Sequence, residues 1–370
     1  MYLEKLQLIN FKNYGEARLD FSSKINVLVG KNGSGKTNLL DAIHYLSLTR
    51  SAFTSSDNFS IRQGEDFFTV KGSFKRERDQ RDITCSIQAG SKKTFREGVN
   101  DYQKLSEHIG KYPVVLIAPD DTELVKEGSE ERRKFFDSII SQLDRVYLEA
   151  LIRYNQALKQ RNSLLKMFAD TSSFDAIALE SYDRVLVQAG TVLFDTRKRF
   201  IHEFLPVFRQ FYQFIVADEQ ADLEYRTELL KTGFEAGLNA NRQRDLYLQR
   251  TSFGVHRDDY QFTLGTGDLK RLGSQGQQKS FIIALKLAQF EIIKRDKGFK
   301  PILLLDDIFD KLDDFRIARL LELIRHDELG QLFITDARPD RTAALLRSVD
   351  VPATVFYVKN GTISESPEFS

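Results

Sequence analysis

The sequence predicts an α/β fold that carries an inserted α-helical domain, and three stretches are responsible for that reading. The apolar run Ile25-Asn26-Val27-Leu28-Val29 leads into Gly30-Lys31-Asn32-Gly33-Ser34-Gly35-Lys36-Thr37, and Asn38 to Leu48 is then amphipathic, so the order is strand, glycine loop, helix. Much later, Ile302-Leu303-Leu304-Leu305 has the pattern of a buried strand and ends in Asp306-Asp307, a layout that Leu332-Phe333-Ile334-Thr335 and Asp336 repeat. Between them, from Glu130 to about Phe211, the pattern turns helical.

In chain order, Leu6-Gln7-Leu8 and Ala17 to Phe21 alternate apolar and polar around Asn13-Tyr14-Gly15, which predicts a hairpin ahead of the glycine loop. Strands follow at Phe67 to Phe74 and Ile83 to Ala89, joined by the mixed charge run 75–82, a solvated hairpin tip. Val114 to Ile117 is a further strand. In the helical region Tyr147, Leu151, Tyr154 and Leu158 form one stripe, and Tyr182, Val185, Ala189 and Val192 another. Such stripes are packing faces, and two that face each other predict antiparallel helices. β-like segments return at Leu223-Glu224-Tyr225 and Tyr260 to Leu264, and Gly273 to Gln278 opens a helix running to about Lys294. The expected domains are therefore a discontinuous head, 1–122 and 222–370, and a helical insertion, 123–221. Glu365 to Ser370 reads as a frayed end.

At 370 residues, 41% hydrophobic and 29% charged, the chain can bury a full core. No apolar run approaches a bilayer span and the first residues show no signal pattern, so the expectation is a cytoplasmic protein with no membrane contact. The single cysteine, Cys85, excludes an internal disulfide and a thiolate cluster, in keeping with a reducing compartment. A net charge of +1 gives no whole-molecule attraction to nucleic acid, so DNA contacts have to come from a local patch. The basic residues at 75–81 and 92–96 are the candidates.

Gly30 to Thr37 matches G-x-x-x-x-G-K-[ST] in the strand-to-helix context that this motif requires. Backbone N–H groups of Gly33 to Thr37 converge on a phosphate at a helix N-terminus, and glycine allows the close approach. Lys36 then sits on the β- and γ-phosphates of ATP, and the Thr37 hydroxyl is a ligand of Mg2+. Asp306 supplies the metal-side carboxylate. Asp307, one residue on, is placed to orient or deprotonate an attacking water. A structural account, an ordinary glycine turn and two carboxylates solvating a strand end, is the weaker one because both halves occur together.

Ser274-Gln275-Gly276-Gln277, at a helix N-terminus shortly before the Asp306 strand, resembles the signature motif of ABC-type ATPases. The resemblance implies that Ser274, Gly276 and Gln277 meet the γ-phosphate bound to the opposite subunit; a polar N-cap is a plausible reading of the four residues alone, and a much weaker one between the glycine loop and the Asp306 strand. Gly-x-Asn-Gly-Ser-Gly-Lys-Thr-Asn, which includes Asn32 and Asn38, with Asp41-Ala42-Ile43 and Leu8-x-Asn10-Phe11-Lys12-Asn13-Tyr14, is similar to the SMC and RecF branch. Three further blocks narrow the resemblance to the RecF family. They are Ala118-Pro119-Asp120-Asp121 with Val125-x-x-Gly128-Ser129 and Arg132-Arg133, then Ala157 to Lys166, then His256-Arg257-Asp258-Asp259.

Membership of that family implies an ABC-type P-loop ATPase head with a mixed sheet and an inserted α-helical domain. It also implies an ATP-dependent homodimer on double-stranded and gapped DNA, and recombinase loading with RecR and RecO. Transporter-type relatives carry Gln where Pro119-Asp120-Asp121 stands, Glu at Asp307 and His near Thr335-Asp336. The sequence leaves open whether Asp120 or Asp121 replaces the glutamine and Asp336 the histidine; the short Asp307 side chain implies slow hydrolysis, and the family resemblance a weak, DNA-stimulated ATPase. His256 to Asp259 reads equally as a functional group or a polar turn. Two rival readings are a DNA clamp in which ATP is structural and an ABC transporter nucleotide-binding subunit.

Overall fold

In the computed structural model the described residues are 1–309, 313–326, 328–347 and 352–366; residues 367–370 of the expected frayed end lie outside them. The chain forms two compact units, Met1–Asp121 with Ile282–Ser370, and Thr122–Phe281.

The first unit holds two six-stranded sheets. One is antiparallel and begins with the hairpin Tyr2–Phe11 and Tyr14–Asp20, whose turn falls at Lys12-Asn13, one residue earlier than the pattern of the sequence suggests. The other places Ile25–Val29 between Ala353–Lys359 and Leu332–Asp336, all parallel, followed by Ile302–Leu305 and Val114–Ile117. An antiparallel edge strand, Thr362–Ser366, makes this sheet mixed. One core joins both sheets through the helix Lys36–Leu48, which is buried on nearly every side: Leu39, Leu40, Ile43, Tyr45 and Leu46 are at 0% exposure. A helix enclosed in this way has little freedom to shift, so its N-terminus is a fixed point.

The second unit is built on the helices Ser129–Leu143, Arg145–Thr171 and Ala176–Ile215. The last two are joined by a four-residue turn and pack against each other. The segment after 221, expected to belong to the head, lies in this unit up to Phe281. The reason is a small sheet: Ala221–Arg226 pairs with Asp259–Leu264, and the Tyr260 ring packs on Phe136 at 4.0 Å. The stripe on the long helix is only partly as expected: Ala189 is buried, but the inward face is centred one residue on. Val185 is exposed, whereas Leu179, Asp183, Leu186, Gly190 and Leu193 face inward. A buried aspartate breaks an apolar reading of that face. Asp183 is inside because Arg161, itself at 0% exposure, meets it at 2.6 Å and meets Asp245 at 2.7 Å.

Three histidines are held as neutral rings, His44 and His108 buried and His256 half-buried. His44 lies against the Arg50 carbonyl, His108 against that of Leu46, and His256 between the Tyr154 hydroxyl and the Thr251 carbonyl. Burial lowers each to about 4 from an ordinary 6.5. The unfolded chain therefore takes up these protons at higher pH than the folded one. The stability held in the neutral rings is complete above pH 6.5 and lost as pH falls towards 4, at up to ~1.4 kcal/mol per pH unit for each ring. Thermal melts between pH 7.5 and 4.5 should show a falling Tm, and a flat profile contradicts these placements.

Candidate nucleotide-binding site

The loop Gly30 to Thr37 emerges from the end of a central parallel strand and closes on the N-terminus of the buried helix. Gly35 occupies the N-cap with φ 117, a left-handed conformation that glycine adopts without strain, and no side chain caps this end or places an acid in its first turn. The first N–H groups of the helix are thus left for an outside acceptor, and the dipole favours an anion there. Glycine is kept for a second reason. A Cβ at Gly30 would lie 2.2 Å from the Val358 carbonyl, and one at Gly35 would lie 2.5 Å from the Asn13 amide, so protein neighbours crowd both positions. Only at Gly33 is the surrounding space open.

Lys31, Asn32 and Gly33 are exposed at the rim, whereas Ser34 and Lys36 are each 4% exposed. The Lys36 ammonium donates to the carbonyls of Gly30 at 2.8 Å and Lys31 at 3.2 Å, which holds it across the loop. Asn38 does not reach the rim; its amide donates to Asn13 Oδ1 at 2.7 Å.

Asp306 follows the strand Ile302–Leu305 and is brought to the loop by the register of the sheet. Thr37 Oγ1 lies 3.0 Å from both of its carboxylate oxygens. The Thr335 hydroxyl donates to Oδ1 at 2.7 Å and accepts the Asp307 N–H at 2.9 Å. Thr335 is a residue whose part the sequence did not reveal, because it depends on the register that pairs Leu305 with Ile334 and so sets the next residues, Asp306 and Thr335, side by side. Burial pushes the Asp306 carboxyl above its ordinary range; the Thr335 and Thr37 hydrogen bonds and the Lys36 charge oppose this, and the Asp120 charge adds to it. Asp307 has φ 44, in the left-handed region that Asp tolerates better than most residues.

Of the two candidates for the missing glutamine, Asp121 is committed elsewhere. Lys286 Nζ meets its Oδ1 at 2.5 Å, and its Oδ2 accepts the Ala118 N–H at 2.7 Å. Asp120 is the one whose charge acts on Asp306. Asp336, offered above in place of the switch histidine, is 1% exposed and accepts from the Arg338 N–H at 2.8 Å and from the Thr342 hydroxyl. Both partners lie in or just ahead of the helix Pro339–Arg347, so the Asp336 carboxylate is occupied within the protein.

Ser274 and Gln277 belong to the other unit, at the start of the helix Gln275–Lys297. The Ser274 hydroxyl accepts the Gln277 N–H at 3.2 Å while Gln277 Oε1 accepts the Ser274 N–H at 2.8 Å, a reciprocal capping box with Ser274 exposed. Of His256, Asp258 and Asp259, Asp258 is buried, Asp259 is half-buried, and His256 is held separately by Tyr154 and Thr251. Arg132 grips Asp259 with two bonds, at 2.8 and 3.1 Å, and Arg197 meets Asp258 at 3.1 Å.

Four of the seven basic residues in the runs proposed for DNA are paired with carboxylates. Lys75 pairs with Glu4 at 3.4 Å, Arg81 with Asp79 at 3.1 Å, Lys93 with Asp57 at 2.8 Å and Arg96 with Asp101 at 3.0 Å. Lys75, Arg76 and Arg81 line a cavity of about 560 Å³ that also contains Asp79, Glu97 and Asp296. Mixed signs of this kind match a phosphate backbone poorly.

A parallel strand running into a glycine loop, with a second strand two places away delivering a buried aspartate to it, places this chain among the P-loop ATPase heads of ABC type. The family model for the RecF/RecN/SMC N terminal domain matches residues 2–364. The DNA replication and repair protein RecF of Cytophaga hutchinsonii is 46% identical over 99% of this chain and 97% of its own length. Its counterpart in Flavobacterium johnsoniae is 45% identical over 96% and 99%. A solved structure of the recombination mediator protein RecF-ATP in the RecFOR pathway superposes with a TM-score of 0.89 at 28% identity, covering 99% of this chain and 97% of that one. The Smc head domain from Pyrococcus furiosus shares the fold, with a TM-score of 0.57 at 20% identity over 99% and 96%. The chain belongs to the RecF family of DNA replication and repair proteins. Among the described residues no helix is long and apolar enough to cross a membrane.

Proposed function

We propose that this chain is an ATP-gated, DNA-binding ATPase of recombinational repair and replication, acting with RecR and RecO to load recombinase at gaps. The observation that carries the reading is the pair of hard oxygens, Thr37 Oγ1 and Asp306, 3.0 Å apart beside an uncapped helix N-terminus. That set fits Mg2+, which takes one or two protein oxygens and completes its shell with phosphate and water. No cage of three or more His, Cys, Asp or Glu exists among the described residues, so a metal held by protein alone is disfavoured.

Lys36 and the N–H groups of Gly33 to Thr37 bind the β- and γ-phosphates, while Thr37 and Asp306 hold Mg2+. The bound ion supplies positive charge against the charge that develops on the phosphate oxygens. Asp307 orients or deprotonates the attacking water. Its left-handed backbone and the bond from its N–H to Thr335 fix the start of a side chain shorter than glutamate, so turnover is slow and times the release of DNA. Ser274, Gly276 and Gln277 of one subunit meet the γ-phosphate of the other, so ATP and not ADP yields a symmetric dimer with two buried nucleotides.

Fluorescence anisotropy on duplex and gapped duplex DNA tests this reading across a salt series. Affinity should be higher with ATP than with ADP. The slope of log affinity against log salt should also be steeper with ATP, because a dimer doubles the phosphate contacts. Ser274→Arg should bind nucleotide normally yet stay monomeric by light scattering. Equal affinity and equal slope with the two nucleotides contradict the gating.

A further inference from the structure

Two hairpin turns, distant from the glycine loop in sequence, hold its peptide groups from outside. The Ser34 carbonyl accepts two hydrogen bonds, from Asn13 Nδ2 at 3.1 Å and from the Gly361 N–H at 3.2 Å. The next carbonyl, that of Gly35, accepts from the Tyr14 hydroxyl at 2.9 Å in addition to its helical bond from Leu39. A trans peptide is planar, and its C=O points opposite to the N–H of the following residue. Fixing these two carbonyls on the hairpin side therefore aims the N–H groups of Gly35 and Lys36 the other way, into the mouth of the loop.

The donors are themselves fixed. Asn13 Oδ1 accepts from Asn38, so both ends of its amide are engaged. Tyr14 is at 0% exposure, and the tight turn before it puts Lys12 at φ 52. Asn360 at φ 49 and Gly361 at φ 78 form the two-residue turn between Ala353–Lys359 and Thr362–Ser366. The two turns touch: a Cβ on Gly361 would lie 2.5 Å from the Asn13 carbonyl oxygen.

We propose that Asn13, Tyr14 and Gly361 are positioning residues of the nucleotide site, which set the direction of the loop N–H donors so that phosphate binding does not have to reorder the backbone. The inference rests on the reading of the loop as a nucleotide site and adds residues that act through the loop.

Titration of the full chain with a fluorescently labelled ADP, beside thermal melts of the same samples, tests it. Asn13→Ala should raise Kd about tenfold, the equivalent of one well-placed hydrogen bond. Tyr14→Phe keeps the buried ring, removes the hydroxyl and should raise Kd several-fold. Asn13→Ala and Gly361→Ala act on one carbonyl, so the double variant should lose less than the product of the two. A purely structural role would lower Tm and the fraction of competent protein but leave the Kd of that fraction at the wild-type value. That result in both Asn13→Ala and Tyr14→Phe overturns the proposal. Failure of the wild-type chain to bind labelled ADP overturns the nucleotide reading, and this inference with it.

Discussion

Lys36→Arg should abolish ATP turnover, a loss of at least ~100-fold, the scale seen when one preorganised donor is removed from a developing anion. Lys36 is 4% exposed and its ammonium bridges the carbonyls of Gly30 and Lys31, so the space around it is shaped for a compact head group. A guanidinium keeps the charge but is planar and broad, and it cannot donate to both loop carbonyls and a phosphate from the same point. Some nucleotide binding should survive, since the N–H donors at the helix N-terminus are untouched. Phosphate release in the presence of gapped DNA measures the first effect and labelled nucleotide the second. Turnover equal to wild type in Lys36→Arg rules out this loop as the catalytic site.

The parts of this site that were legible in the sequence are those encoded by neighbouring residues. Gly30 to Thr37 announces itself because strand, loop and helix are contiguous, and Asp306-Asp307 because a four-residue apolar run ends there. Contacts between distant residues leave no local trace. Thr335 reaches Asp306 only through strand register, and Gly361 reaches Ser34 only through a turn near the other end of the chain. The reading of the second unit suffered for a different reason. Hydrophobic periodicity assumes that buried means apolar, and here Arg161, Asp183, Arg197, Asp245 and Asp258 are inside. The same blindness to pairing made the runs at 75–81 and 92–96 look more basic than they are, since carboxylates from other strands and turns sit on them.

That buried network sets the second large effect: Arg197→Met should destabilise the helical unit by about 3–5 kcal/mol, the cost of leaving buried charges without their partner. Arg197 is 2% exposed and meets Asp137 at 2.9 Å and Asp258 at 3.1 Å, and it also donates to the Tyr147 hydroxyl and the Val255 carbonyl. Methionine fills much of the volume but returns none of these bonds. Asp258 is already pushed above its ordinary range by burial, against the hydroxyl of Tyr225 and the charge of Arg197. Without the arginine it moves higher still. A folded pKa raised above the unfolded value contributes stability at low pH that is lost as pH rises through it, so the variant's deficit should be larger at pH 8 than at pH 5. Urea denaturation at both values measures this. Adding Asp137→Asn and Asp258→Asn should recover part of the loss, because the neutral amides no longer need a cation. A deficit below ~1 kcal/mol that is independent of pH would mean that solvent reaches these carboxylates, and that the arginine is not what holds the helices to the small sheet.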